Sequence, residues 1–144
     1  MKLKIKLLNS LAKLPTYGSE GAACFDFFAC TDSPVTVDPH SAVSLPTGLS
    51  FEIPEGWVML VFSRSGHGFK HGIRLNNCVA VIDSDYRGEM RVGLHNDSDT
   101  PYIVQPSERV AQGLLIPAPQ IEIEAVPELS KTKRGTGGFG STGK

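Results

Sequence analysis

The run Ile82-Asp83-Ser84-Asp85-Tyr86-Arg87-Gly88 closes an apolar segment, Val79-Ala80-Val81-Ile82, with two carboxylates and a phenol. An aspartate at the mouth of a buried strand can draw a proton from water, or it can simply cap a turn. Ser63-Arg64-Ser65-Gly66 sets a guanidinium among hydroxyls just before a glycine, where a short helix could start, which suits an anion. An ordinary solvated turn would read the same way. A second cation, Arg109, precedes Val110-Ala111-Gln112, so Gln112 could offer an amide to a polar ligand. The tail supplies Arg134, Phe139, Ser141 and Thr142 among five of the 15 glycines. Such a segment can close on a ligand that has both a ring and phosphates, or it can be a plain flexible end.

Other spacings lead nowhere. Gly135-x-Gly137-x-x-Gly140 has the form of a dinucleotide fingerprint but lacks the strand before it, the helix after it and the distant acid. Gly140 to Lys144 lacks the spacing of a P-loop. His67 and His71 stand at i and i+4, but no Glu follows the first and Gly68 weakens the helix, so a zinc enzyme is not expected. Cys24, Cys30 and Cys78 form an odd set without a CxxC, which reads as buried thiols in a reducing compartment.

The elements that must position these groups are strands. Lys and Leu or Ile alternate over Lys2–Leu7, and short apolar runs recur at Cys24–Ala29, Val35–Val37, Ala42–Leu45, Leu49–Ile53, Trp57–Phe62, Val79–Ile82, Met90–His95, Tyr102–Val104, Val110–Ile116 and Ile121–Val126. Turn clusters such as Asp32-Ser33-Pro34 and Pro54-Glu55-Gly56 separate them. That spacing predicts a sandwich, jelly roll or barrel, with one short helix over Gly66–His71. With 144 residues, 1–130 read as one domain and 131–144 as a mobile glycine-rich arm. Lys+Arg 14 against Asp+Glu 15 leaves a net charge of −1, so no global field favours nucleic acid or an anionic membrane. Any phosphate site must come from local placement of donors. No apolar run is long enough for a membrane helix, and the basic N-terminus lacks the apolar stretch of a signal peptide, so a cytoplasmic protein is expected.

Taken in order, five segments resemble the motifs of the trimeric deoxyuridine triphosphatase (dUTPase) family. They are Ala22–Phe27, Ser63–Ile73, Ala80–Glu89, Glu108–Gln112 and Arg134–Gly143, and they span nearly the whole chain. The resemblance implies an all-β, distorted jelly-roll-like β-barrel (the dUTPase-like β-clip) assembled as a homotrimer with shared active sites. It implies Mg²⁺-dependent hydrolysis of dUTP to dUMP and pyrophosphate, which limits uracil in DNA and supplies dUMP for dTMP synthesis. By position, Asp83 would activate the water that attacks the α-phosphorus. Asn77 and the backbone after it would read uracil, Tyr86 would pack under the deoxyribose, and Val81 and Met90 would also bind substrate. Arg64, Ser65, Gly66 and Gln112 would hold phosphate oxygens, and Asp26 would help the metal through water. From the arm, Arg134, Ser141 and Thr142 would reach the γ end, while Phe139 and Gly140 would cover the base.

This chain departs from the family pattern at several positions. Cys24 and Ala80 stand where glycine is common, Ser63 where proline is common, and His67 where an apolar residue is common. Ser107 and Gly113 flank the fourth segment atypically. None of these removes a chemical group assigned above. Deoxycytidine triphosphate deaminase shares the implied fold but needs a glutamate to shuttle protons at cytosine C4. A nucleotide-gated binding protein on the same scaffold should have lost Asp83 or the arm. Both are present, which favours hydrolysis.

Overall fold

The computed structural model describes residues 1–141 and 143. In chain order the elements are β1 (Lys4–Leu7), β2 (Thr16–Tyr17), β3 (Phe25–Phe28), β4 (Val35–Val37), β5 (Ala42–Pro46), β6 (Leu49–Glu52), β7 (Trp57–Phe62), α1 (Ser65–His71), β8 (Ile73–Leu75), β9 (Ala80–Ile82), β10 (Arg91–Asn96), β11 (Tyr102–Val104) and β12 (Arg109–Pro117). The largest sheet runs β2-β3-β12-β7-β9, a second runs β5-β10-β8, and β1-β6 and β11-β4 form pairs. All pairings are antiparallel. The all-β, jelly-roll-like expectation holds, but these sheets close no ring. The five-stranded sheet instead ends on β2 and β9, edges of two and three residues, too short to invite stray pairing.

The core lies where the sheets face one another. Phe25, Phe27 and Phe51 stack edge to face, with ring centroids 5.3 Å and 6.0 Å apart, and tie β3 to β6. Burying each such ring contributes roughly 1.5–3 kcal/mol. Met59, Leu45, Leu94, Val37 and Val104 complete the cluster from β7, β5, β10, β4 and β11. Gly113, atypical as sequence, has a packing reason. A Cβ there would sit 2.7 Å from the Phe27 ring and 3.3 Å from the Leu60 carbonyl. A side chain at 113 and an aromatic at 27 exclude each other.

Ser107 has no such compensation. It sits at φ 64°, in left-handed backbone that glycine enters more cheaply. Its N–H donates to the Ala29 carbonyl at 2.9 Å, and the Ala29 N–H donates to the Glu108 carbonyl at 2.8 Å. These bonds lash the turn before β12 to the end of β3.

Three expectations need correction. Ile121–Val126 keeps its alternation, yet it forms no strand, leaving Ile121 and Ile123 exposed. An isolated strand has nowhere to place its backbone hydrogen bonds except water. β2 and β8 form where no strand was expected. Cys78 is exposed in the turn after β8, not buried, whereas Cys30 is buried with its thiol against Asn9 Oδ1.

Candidate functional site

β12 lies between β3 and β7, and its register does most of the positioning. Gln112 stands opposite both Asp26 on β3 and Phe62 at the end of β7. The chain leaves β7 through Ser63 and Arg64 before α1 begins, so residues far apart in sequence meet at one end of this sheet. A bulge between Arg109 and Ala111 bends β12 at the same place.

Asp26 is buried, and a buried carboxylate needs partners. It has two. Arg64 Nε donates to Oδ1 at 3.1 Å, and Arg109 Nη1 donates to Oδ2 at 3.1 Å. Arg64 Nη1 also donates to the Arg109 carbonyl at 3.1 Å. Among the described residues Arg64 Nη2 meets no protein acceptor. Gln112 Nε2 donates to the Ser63 carbonyl at 2.9 Å, while Ser63 Oγ accepts the Leu75 N–H at 2.8 Å. Ser63 thus pins the start of this loop to β8. Arg64, Ser65 and Gln112 line one cavity of about 370 Å³, together with Ser63, Gly68 and Phe69.

Behind Arg64 lies a second network that the sequence did not suggest. His67 Nε2 lies 2.9 Å from Glu108 Oε1, the Tyr102 hydroxyl donates to the same oxygen, and the Gln105 N–H donates to Oε2 at 2.8 Å. Only the last contact has a local signal, a carboxylate reaching back three residues as in a capping box. Burial opposes ionisation of Glu108, but the bonds from Tyr102, Gln105 and His67 outweigh it and hold the carboxyl below the usual range. Burial, and then the hydrogen bond to Glu108, push the Tyr102 phenol well above its own. Cys24, close to Asp26, has its thiol pushed up by burial and then by that charge, which keeps it protonated and inert.

A carboxyl with a lowered folded value contributes stability that is complete above its unfolded value, about pH 4.3. That contribution is lost as pH falls through the lowered value. Glu108→Gln should therefore flatten the decline of Tm between about pH 5 and pH 3. Equal slopes in variant and parent would remove Glu108 from the acid response.

Asp83 lies elsewhere. It follows β9 at the edge of the five-stranded sheet, exposed, in a cleft of about 1020 Å³ shared with Glu52, Trp57, Val81, Asp85 and Arg87. Its backbone carbonyl, not its side chain, closes the turn by accepting the Tyr86 N–H at 3.2 Å. Among the described residues no donor engages the Asp83 carboxylate. Tyr86 OH donates to the Glu89 carbonyl at 3.0 Å, and Asn77 Nδ2 contacts the Val79 carbonyl at 3.4 Å. Val81 is exposed, whereas Met90 lies in the core.

One chain therefore gathers Arg64, Ser65 and Gln112 at one cavity, with Gly66 next to Ser65 but not in its lining, and Asp83 and Val81 at another, with Tyr86 close by. The two cavities share no lining residue. The hydrogen bonds of the described arm stay within it, including Arg134 Nε to the Gly137 carbonyl at 2.7 Å, and Phe139 is fully exposed. Thr142 lies outside the described residues. Among the described residues no helix is long and apolar enough to cross a membrane.

Known proteins are similar to this chain along nearly its whole length. The family model described as dUTPase matches residues 11–143. The deoxyuridine 5'-triphosphate nucleotidohydrolase of Ralstonia pickettii (strain 12J) is 41% identical over 147 residues, covering 100% of this chain and 99% of that protein. The enzyme of the same name from Paraburkholderia phymatum is 43% identical over 147 residues, with the same coverage. Among solved structures, the G164S mutant of the Staphylococcus bacteriophage 80alpha dUTPase with dUpNHpp superposes with a TM-score of 0.90 at 27% identity, covering 99% of both chains. Fold and site together define an all-β nucleotide hydrolase. The chain belongs to the dUTPase family, and its activity is that of a dUTP diphosphatase.

Proposed function

We propose that this chain hydrolyses dUTP to dUMP and pyrophosphate at sites assembled between the copies of a homotrimer. The observation that carries this reading is the Asp83 carboxylate, exposed at the end of β9 and not consumed by its own turn. Asp83 takes the proton of a water whose oxygen bonds to the α-phosphorus. The bond from that phosphorus to the β-phosphate oxygen breaks, and pyrophosphate leaves. Arg64, aligned by Asp26, presents Nη2 to the phosphates beside Ser65, Gly66 and Gln112, and fixed cations and donors offset the charge that repels the water. Asn77 and the backbone after it face uracil, and Tyr86 lies against the deoxyribose. Val81 offers its exposed side chain, and Met90 backs the loop after β9 from the core. Arg134, Phe139, Gly140, Ser141 and Thr142 reach the nucleotide from the arm.

The separation of the two cavities supports the trimer, because a neighbouring copy can bring one set of residues to the other. The unpaired Ile121–Val126 segment supports it too, since a neighbour can supply the missing strand edge. Among the described residues no group of three or more His, Cys, Asp or Glu gathers to hold a metal, and both Asp26 oxygens face arginines. That donor set fits an ion carried on the phosphates, because Mg²⁺ keeps several waters and binds through few carboxylates. Bound there, Mg²⁺ supplies charge neutralisation, and Asp26 reaches it through water only by lone pairs its arginines leave. Turnover of dUTP, dCTP, dTTP and UTP, each with and without Mg²⁺, tests the reading. Pyrophosphate from dUTP alone, and only with the metal, is expected; ammonia released from dCTP would overturn it.

A further inference from the structure

We propose that His67 is a positioning residue that orients the Arg64 guanidinium for the phosphates of dUTP; this rests on the reading of Arg64 as a phosphate ligand. His67 is only 6% exposed, on the first turns of α1 directly behind Arg64. An imidazole so buried must satisfy both ring nitrogens. Nδ1 faces Arg64 Nη1 at 3.4 Å, and Nε2 faces Glu108 Oε1 at 2.9 Å. A guanidinium can only donate. Nδ1 is therefore the acceptor, and the ring proton sits on Nε2, aimed at the carboxylate.

The ring is held from every side. The Tyr102 hydroxyl and the Gln105 N–H fix Glu108, so the acceptor for Nε2 cannot turn away. The Tyr102 ring stands edge-on to the imidazole at 5.5 Å between centroids, with His71 on its own flank at 5.0 Å. Flipping the imidazole would set a ring C–H against Glu108. On Arg64, Asp26 and the Arg109 carbonyl take Nε and Nη1, and His67 gives Nη1 a second acceptor on another line. Three anchors define the plane of the guanidinium and leave Nη2 for the cavity that Arg64 lines. The contact at 3.4 Å is long, so its work is orientation more than affinity. An apolar side chain at 67 could fill the volume but would accept nothing from Arg64.

Arg64 grips the phosphates in bound dUTP and in the transition state alike, so loosening its orientation removes uniform binding and should appear chiefly in KM. His67→Leu should raise KM for dUTP about 3–10-fold, the effect of losing one such hydrogen bond, with kcat within about twofold. His67→Gln, whose amide both accepts and donates, should recover most of the loss. Thermal unfolding of each variant confirms that the folded enzyme is being measured. An unchanged KM in folded His67→Leu, a fall in kcat alone, or no recovery in His67→Gln would overturn the proposal. Arg64→Ala separates the two layers. A large rise in its KM beside an unaffected His67→Leu removes only the positioning role, whereas an unchanged KM in Arg64→Ala removes the phosphate reading itself.

Discussion

Replacing Asp83 by asparagine should lower kcat for dUTP about 10²–10⁴-fold, the range for loss of general-base assistance, while nucleotide affinity stays close to that of the parent. The structure separates these effects. The amide keeps the size of the carboxylate but cannot take a proton from water. The turn that carries it is closed by the Asp83 backbone carbonyl, and Arg87 Nη1 holds the same loop through the Ser84 carbonyl at 2.6 Å, so the turn survives. Arg64, Ser65 and Gln112 line a different cavity and keep their partners. Single-turnover rates, with equilibrium binding of dUTP to the variant, make the comparison directly. Turnover near the parent rate would take the base assignment away from Asp83.

The second large effect concerns the arm. Deleting residues 133–144 should leave Tm unchanged and cut turnover by about 10²-fold or more, since losing one preorganised donor at a developing charge costs about 10²–10³-fold. The described arm residues bond only among themselves, and Phe139 packs on nothing, so the folded body loses no contact. What is lost is the set of groups that would close on the bound nucleotide: Arg134, the hydroxyls and the Phe139 ring. Full activity in the truncated protein would show that closure is not required. A lowered Tm would show that the arm holds the body together.

Sequence pattern carried the strands well wherever they were long enough to alternate. Trp57–Phe62 and Tyr102–Val104 match their expected bounds, and the expected helix gains one residue at its start. β2 was missed because two residues hold no period. β8 was missed because Ile73-Arg74-Leu75, although alternating, follows directly on Gly72, the left-handed C-cap of α1 at φ 66°. The candidate residues were legible one by one, and the resemblance gave them roles. That the third segment and the arm serve a neighbour's site came from the resemblance alone, and the side-chain pairings within one chain were not legible. The pairs that build the arginine cavity join Asp26 to Arg64 and Arg109 across 38 and 83 positions, and nothing local encodes such pairings. The His67–Glu108–Tyr102 network was hidden for the same reason. His67 read as a failed zinc ligand because its partners come from β11 and the turn before β12.

The exposed segment after β12 has one more consequence, for solubility. A newly made chain carries exposed Ile121 and Ile123 in a β-prone stretch whose backbone joins no ladder, which is the profile of an aggregation nucleus. Glu122 and Glu124 alternate with them, so sideways stacking of two copies in register would set like charges against each other. Pro117, Pro119 and Pro127 fence both ends and stop any ladder from spreading into neighbouring residues. Charge within and proline at the borders act as gatekeepers, keeping a sticky segment dissolved while it has no strand partner.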